Sequence, residues 1–408
     1  FTLREGPPAG GRSRTLVRVT PADRREGTLL SGMTADEWMP AGVTPDEVRA
    51  RAGSALPAAP PEGGGELVLG AGNLTRIVPR DVLHALYANG RVGLLKMSPV
   101  NASVGPVCER VLAPFVDSGY LRFVYGGADV GAYLTRHAGV DAVHVTGSAR
   151  THDAIVFGSG PEGEARKARG EHEIRKPVSS ELGGVSPTIV LPGPWDDADI
   201  AYHAEHVVAQ KLHNCAFNCV AAQVLVLPAD RPFADRFEER VATELDAAPE
   251  RPAYYPGAVE RVENACAEHE GKVQRCAGRA LLSGVDPHAD AHTFREEFFA
   301  PVLATTRISA TDAAAFLRRA VAFCNERLQG TLGANLIVHP KTARELGSAL
   351  DEALAELRYG VIAVNTWTGV GFQLARASWG AFPGATPADV QSGIGVVHTA
   401  LLLERPEK

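Results

Sequence analysis

The chain has 408 residues, 45% hydrophobic and 22% charged, with a formal net charge of −7 at pH 7. That length exceeds one simple core and predicts two domains, the composition is that of a globular protein, and acidic charge without a Lys/Arg block argues against nucleic acid as a partner. The lack of any run of about 18 apolar residues argues against a membrane-spanning helix, and six scattered cysteines without a disulfide rhythm fit a reducing cytoplasm.

Residues 1–66 are rich in Pro, Gly, Ala, Arg and Asp and match no motif, and residues 57–65 read as a flexible connector. Thr34-Ala-Asp-Glu and Thr44-Pro-Asp-Glu read as helix starts, with Thr capping and an acid in the first turn. From Leu67 onward short apolar strands (67–69, 92–96, 121–125, 142–145) alternate with helical stretches near 76–89, 104–117 and 130–138. This is the rhythm of a doubly wound parallel sheet, which binds its ligand at the carboxyl ends of its strands. Two such ends carry chemistry. Lys96 closes the second strand, and Thr146-Gly147-Ser148 follows the fourth, opening a helix whose amides and dipole suit a pyrophosphate; Gly70-Ala-Gly-Asn73 follows the first strand as a loop. Taken singly, a Lys at a strand edge is usually solvated, and Gly-Asn and Thr-Gly-Ser are common turns. Residues 158–177 alternate charges without an apolar period and read as a surface loop or hairpin.

The segment Glu181-Leu-Gly-Gly-Val-Ser-Pro187 precedes a strand at 188–191, and a helix over 197–210 follows. Lys211 to Leu227 then runs from a turn-prone stretch with Cys215 and Cys219 into a buried strand. A thiol there suits a nucleophile, because the amides of Val220, Ala221 and Ala222 are placed to face an attacking sulfur and an oxyanion. The bland reading is inert packing, since Cys is among the most buried residue types. His213, Cys215 and Cys219 lack a second ligand pair, so no metal is expected. Cys215 remains a rival nucleophile. A second α/β unit follows: strand 223–227, helix 232–245, strand 302–307, helix 311–326, strand 334–338, helix 341–357 and strand 361–364. Within it lies Arg295-Glu-Glu-Phe-Phe-Ala-Pro301. The final apolar run, 393–404, has no helix to cover it and predicts an edge that needs a partner.

Glu181 to Pro187 and Asn214 to Cys219 together resemble the aldehyde dehydrogenase superfamily, whose E-L-G-G-x-S-P segment carries the general base and whose N-x-G-Q-x-C segment carries the nucleophile. The likeness runs over residues 67 to 404. It implies an α/β fold with an N-terminal segment and linker (1–66), a Rossmann-like dinucleotide-binding domain (67–192), an α/β catalytic domain (193–392) and an oligomerisation strand (393–408). It implies Cys219 as nucleophile, Glu181 as base and Asn73 as oxyanion donor. Lys96, Thr146, Gly147 and Ser148 would hold the dinucleotide, Glu297 the nicotinamide ribose, and Phe299 would lie beside the nicotinamide. Ala216 and Phe217 replace the family's Gly and Gln, His152 its last turn Gly, and Pro99 the Glu of K-x-S-E. Losing that acid removes a repulsion against a ribose 2′-phosphate, so NADP is expected beside NAD. The implied reaction is NAD(P)-linked oxidation of a small-molecule aldehyde by a cytoplasmic homodimer or homotetramer, with Phe217, Trp367 and Phe372 lining an aldehyde tunnel. Two alternatives stay open: a CoA-dependent acyl-CoA reductase, which the presence of Glu181 disfavours, and a non-catalytic nucleotide-binding homologue.

Overall fold

The structure, a computed structural model, describes residues 2–9, 11–53, 63–229, 232–276, 278–289, 291–403 and 406–408. The chain divides into two compact units, one of Phe1–Arg4, Thr15–Gly183 and Leu374–Lys408, the other of Glu5–Arg14 and Gly184–Gln373.

The N-terminal segment forms a three-stranded sheet of β1 (Thr2–Ala9), β2 (Arg12–Thr20) and β3 (Ala35–Trp38). The helix expected after Thr34 is therefore strand β3. Antiparallel pairing with β2, Leu16 opposite Trp38, supplies the backbone partners that a capping-like sequence alone cannot. The start at Thr44 is a helix, Pro45–Ala50, closed by a full capping box in which the Glu47 amide donates to Thr44 Oγ1 at 3.3 Å and the Thr44 amide to Glu47 Oε2 at 2.8 Å. The expected connector lies outside the described residues over 57–62.

The main sheet of the first unit contains β4 (Gly65–Leu69), β5 (Val92–Lys96), β6 (Leu121–Val124), β7 (Ala142–Gly147) and β8 (Val178–Leu182), mutually parallel in the order β8-β7-β4-β5-β6. Helices Ile77–Tyr87, Gly105–Val111, Ala113–Asp117 and Ala128–Arg136 connect its strands. The winding reverses between β4 and β7, and such a switch point opens a crevice at the strands' carboxyl ends. Residues 158–177, expected as a loop or hairpin, contain the helix Gly160–Arg169. It buries only Gly163, so it has no apolar stripe to betray it. Ion pairs of Lys167 with Asp153 and of Arg166 with Glu173 tie it down instead.

The second unit carries β9 (Ser186–Val190), β10 (Ala222–Pro228), β11 (Val273–Cys276), β12 (Arg279–Val285), β13 (Val302–Ile308), β14 (Gly333–Ile337) and β15 (Val361–Val364) in the order β11-β12-β13-β10-β9-β14-β15. β11 is antiparallel to β12, and the remaining pairs are parallel. Every residue of β9 and β10 is buried, because a central parallel strand is covered on both faces. The helix Asp197–Leu212 leads toward β10 from an Asp196 capping box. The single helix expected over 341–357 is two, Pro340–Leu346 and Ser348–Glu356, separated by Gly347 at φ 53.

Back in the first unit, β16 (Trp379–Gly380), β17 (Gly393–Ile394) and β18 (Val396–His398) complete the chain. β17 pairs antiparallel with β8 and β18 with β16. Of the late apolar run 393–404, Gly393–Ile394 and Val396–His398 thus find backbone partners inside this chain. No described helix is long and apolar enough to cross a membrane.

Candidate active site

In the first unit the sequence-predicted residues gather at strand ends. Asn73 is half-buried in the bend between β4 and helix Ile77–Tyr87. Lys96 ends β5 at 7% exposure; burial lowers its pKa, opposed by the charge of Asp129. Thr146 and Gly147 end β7, and the Ser148 hydroxyl caps helix Ala149–Val156 by accepting from the Thr151 amide at 3.2 Å. The Thr146 hydroxyl donates to Asp81 Oδ2 at 3.0 Å. Both hydroxyls thus fix the turn, and the amides at the helix start are what suit an anion.

Glu181 lies in β8 opposite Thr146 of β7 and Gly393 of β17. It is 2% exposed; Oε1 accepts from Trp379 Nε1 at 2.6 Å, while Oε2 is enclosed without a hydrogen bond among the described residues. Burial pushes its pKa up to about 7, against the Trp379 N–H and the Arg80 charge. A carboxyl that ionises near neutrality is suited to take a proton from water. Asp81 belongs to the same wall. Burial, then the charge of Glu181, holds its carboxyl well above the usual range, and His144, whose Nδ1 pairs with Ser179 Oγ at 2.9 Å, is pushed by burial down to about 3.

In the second unit Cys219 is half-buried in the turn before β10, its Sγ 3.9 Å from Asn218 Oδ1. The amides of Val220 and Ala221, expected to face an oxyanion, are engaged in that turn instead: Val220 donates to Asn218 Oδ1 at 3.1 Å and Ala221 to the Asn218 carbonyl at 2.9 Å. Only the Ala222 amide of the expected three is outside this turn's own bonding. The preceding residues Asn214, Cys215 and Ala216 are consecutively left-handed at φ 52, 57 and 69, so Ala216 keeps the backbone that a Gly would adopt without strain. Asn214 Nδ2 donates to the Phe217 carbonyl at 3.0 Å and to Tyr254 Oη at 2.9 Å.

Phe217 and Phe372, expected to line an aldehyde tunnel, are 0% and 5% exposed. The Phe217 ring sits 4.9 Å from Tyr254 and 5.6 Å from Phe299 between centroids. Trp367 is half-buried, donates to the Val220 carbonyl at 2.9 Å and lies 4.9 Å from the His213 ring between centroids, tilted by 55°. A cavity of about 690 Å³ opens beside Cys215 and His213, walled by Val208, Leu212, Ala248 and Pro301.

Glu297 and Phe299 sit on the stretch between helix His292–Arg295 and β13. Glu297 Oε1 is enclosed without a hydrogen bond among the described residues. Burial pushes Glu297 up to about 8 and Lys211, 1% exposed, down to about 7, each charge opposing the other's shift. Gln223 holds this stretch in place. Its Nε2 donates to the Thr293 carbonyl at 3.1 Å and the Glu296 carbonyl at 2.7 Å, and its Oε1 accepts from the Phe298 amide at 2.9 Å.

Sequence reasoning missed Asp81, Trp379, Lys211 and Gln223. Gln223 left a trace, as a polar residue near the head of an otherwise apolar buried run; Lys211 opened the stretch read as turn-prone, where nothing signalled its burial. Among the described residues no group of three or more His, Cys, Asp or Glu is arranged to hold a metal ion.

Comparison with known proteins agrees with this architecture. The chain is 30% identical over 256 residues to succinate-semialdehyde dehydrogenase (NADP(+)) 1 of Mycobacterium tuberculosis, covering 57% of this chain and 52% of that relative. It is 25% identical over 259 residues to D-glyceraldehyde dehydrogenase (NADP(+)) of Thermoplasma acidophilum, covering 58% and 49%. The chain thus spans about half the length of the curated relatives it matches. Among solved structures, a putative aldehyde dehydrogenase from Burkholderia cenocepacia superposes with a TM-score of 0.64 at 22% identity, over 98% of this chain and 73% of that one. Aldehyde dehydrogenase C of Pseudomonas syringae, a C291A mutant solved with NAD+ and octanal, does so with 0.61 at 23%, over 84% and 67%. Those two likenesses concern the fold. The sequence model of the aldehyde dehydrogenase family matches residues 77–374, a span that includes both the strand bearing Glu181 and the turn bearing Cys219, and the chain belongs to that family.

Proposed function

We propose that this chain oxidises an aldehyde to its carboxylic acid, with hydride passing to NAD or NADP. The observation that carries the reading is Glu181, at the family's base position, enclosed in protein and ionising near pH 7. A buried carboxyl with one oxygen left without a hydrogen bond among the described residues suits the activation of water.

In this reading the Cys219 thiolate bonds to the aldehyde carbon, and the carbonyl oxygen becomes an oxyanion that the Asn73 side-chain amide stabilises. Loss of hydride from that carbon leaves a thioester on Cys219. Glu181 then takes a proton from water as the water attacks the thioester carbonyl, and the acid departs with the thiol restored. The bound dinucleotide supplies the hydride acceptor. Lys96 and the Thr146-Gly147-Ser148 turn would hold it in the first unit, and Glu297 and Phe299 in the second. The enclosed, unbonded Oε1 of Glu297 fits this role, since it is an acceptor suited to a ribose hydroxyl. Pro99 in place of an acid supports acceptance of the 2′-phosphate of NADP.

Names of relatives set where a substrate screen begins: succinate semialdehyde, D-glyceraldehyde and octanal. Each is offered with NAD or NADP, with and without coenzyme A, while reduced nicotinamide and free acid are followed. One acid per hydride without coenzyme A is expected, with loss of turnover in Cys219→Ser and retention in Cys215→Ser. Turnover that requires coenzyme A, or none with any aldehyde, would overturn the reading.

A further inference from the structure

Gln223 is 2% exposed and projects from β10, the strand that follows Cys219. Its carboxamide makes three bonds to main chain about 70 residues further on: donation to the Thr293 and Glu296 carbonyls and acceptance from the Phe298 amide. Both amide hydrogens and the carbonyl oxygen are used, so the side chain has a single orientation. The bonded residues bracket Glu297, and Phe299 follows at φ 44, a left-handed backbone that an aromatic residue adopts only when its surroundings impose it. Arg261 adds a second tie by donating to the Phe299 carbonyl at 3.0 Å. The stretch is regular neither as helix nor as strand between His292–Arg295 and β13, so no ladder of its own fixes it.

We infer that Gln223 is a positioning residue for the dinucleotide: it clamps the stretch carrying Glu297 and Phe299 to the strand behind the nucleophile. The inference rests on the proposed function, in which those two residues meet the nicotinamide end. Without the clamp the backbone of 293–298 loses three directed bonds, and the carboxylate and ring it presents lose their fixed aim. Cys219 itself touches none of these bonds, so its intrinsic reactivity toward a small electrophile is a separate readout.

The test uses the whole chain with Gln223→Met, which keeps length and removes all three bonds, and Gln223→Asn, which keeps the carboxamide but is one methylene short. Three quantities are measured: the thermal midpoint, the dissociation constants of NAD and NADP by calorimetry, and the rate of Cys219 alkylation by iodoacetamide, located by peptide mass. The expected result is dinucleotide binding weakened about tenfold or more in Gln223→Met and less in Gln223→Asn, with Cys219 alkylation within about twofold of wild type. If Gln223→Met does not fold, Gln223→Asn carries the same comparison. Unchanged dinucleotide affinity in a folded variant overturns the inference alone. A parallel change in alkylation also overturns it, since that marks general disruption. Wild-type protein that binds neither dinucleotide overturns the inference together with the reading it rests on.

Discussion

Trp379 Nε1 donates to Glu181 Oε1 at 2.6 Å, and the indole and the carboxyl are 1% and 2% exposed. A charge-assisted bond of this kind stabilises the ionised acid by roughly 1.5–3 kcal/mol, so with the Arg80 charge it opposes the burial that favours the protonated form, and in the proposed reading it helps to keep Glu181 available as a base. Trp379→Phe keeps most of the packing and deletes the donor. The pKa of Glu181 should then rise by about one to two units, and since the base acts when deprotonated, the pH limb that it controls moves upward by the same amount. Measuring the pH dependence of acid release from the thioester checks this, and an unmoved limb would remove Glu181 from the base role.

Glu181 also makes a stability prediction with a definite sign. Its folded pKa of about 7 lies above the ordinary 4.5, so between those values the folded chain holds a proton that the unfolded chain has lost. Stability therefore falls as pH rises through that window, and the full penalty, roughly 3 kcal/mol, is present above it. Glu181→Gln stays neutral throughout. It should abolish hydrolysis yet be more stable than wild type at about pH 8, with the gain shrinking toward about pH 4.5. Urea unfolding at the two pH values decides, and a variant less stable at both would contradict the buried-charge account.

Much of this was legible where one element specifies itself. β9 and β10 read as apolar runs because both faces are covered, and the Thr44 cap announces its helix. The motif residues Glu181 and Cys219 stood out by type and spacing. What could not be read came from distant partners. Strand β3 exists because β2 lies beside it, and Gly160–Arg169 is held by ion pairs rather than by an apolar stripe. Trp379 reaches Glu181 across 198 positions, and Gln223 reaches Phe298 across 75, separations over which a single sequence carries no register. The engagement of the Val220 and Ala221 amides was equally hidden, because Asn218 looked like ordinary turn chemistry.

Ala216 is fully buried at φ 69, the third of three left-handed residues before Cys219. A Cβ in this conformation costs roughly 1–2 kcal/mol, whereas a Gly there costs only the extra freedom of the unfolded chain. Ala216→Gly should therefore stabilise the fold by up to about 1 kcal/mol, and Ala216→Val should destabilise it by more than that. Denaturant midpoints at equal m-values check both directions. A loss of stability in Ala216→Gly would mean that the turn is not held as described.

His152 occupies helix Ala149–Val156 with 0% exposure, and both ring nitrogens lack a hydrogen-bond partner among the described residues. Burial pushes its pKa down to about 4, with Lys167 and His172 adding to the shift and Asp153 opposing it. The folded ring thus stays neutral while the unfolded ring takes a proton below the ordinary 6.5, so this site loses stability as pH falls from about 6.5 toward about 4. At neutral pH the cost is instead two unsatisfied polar atoms, each worth roughly 1–3 kcal/mol if no water reaches them. His152→Leu, of similar volume and no polar atoms, should be stabilising by about 1 kcal/mol or more at pH 7 and by a larger margin at about pH 5. Calorimetric midpoints at the two pH values test this. A Leu variant that unfolds more readily at about pH 5 than wild type would show that the imidazole has a partner there that favours its charge.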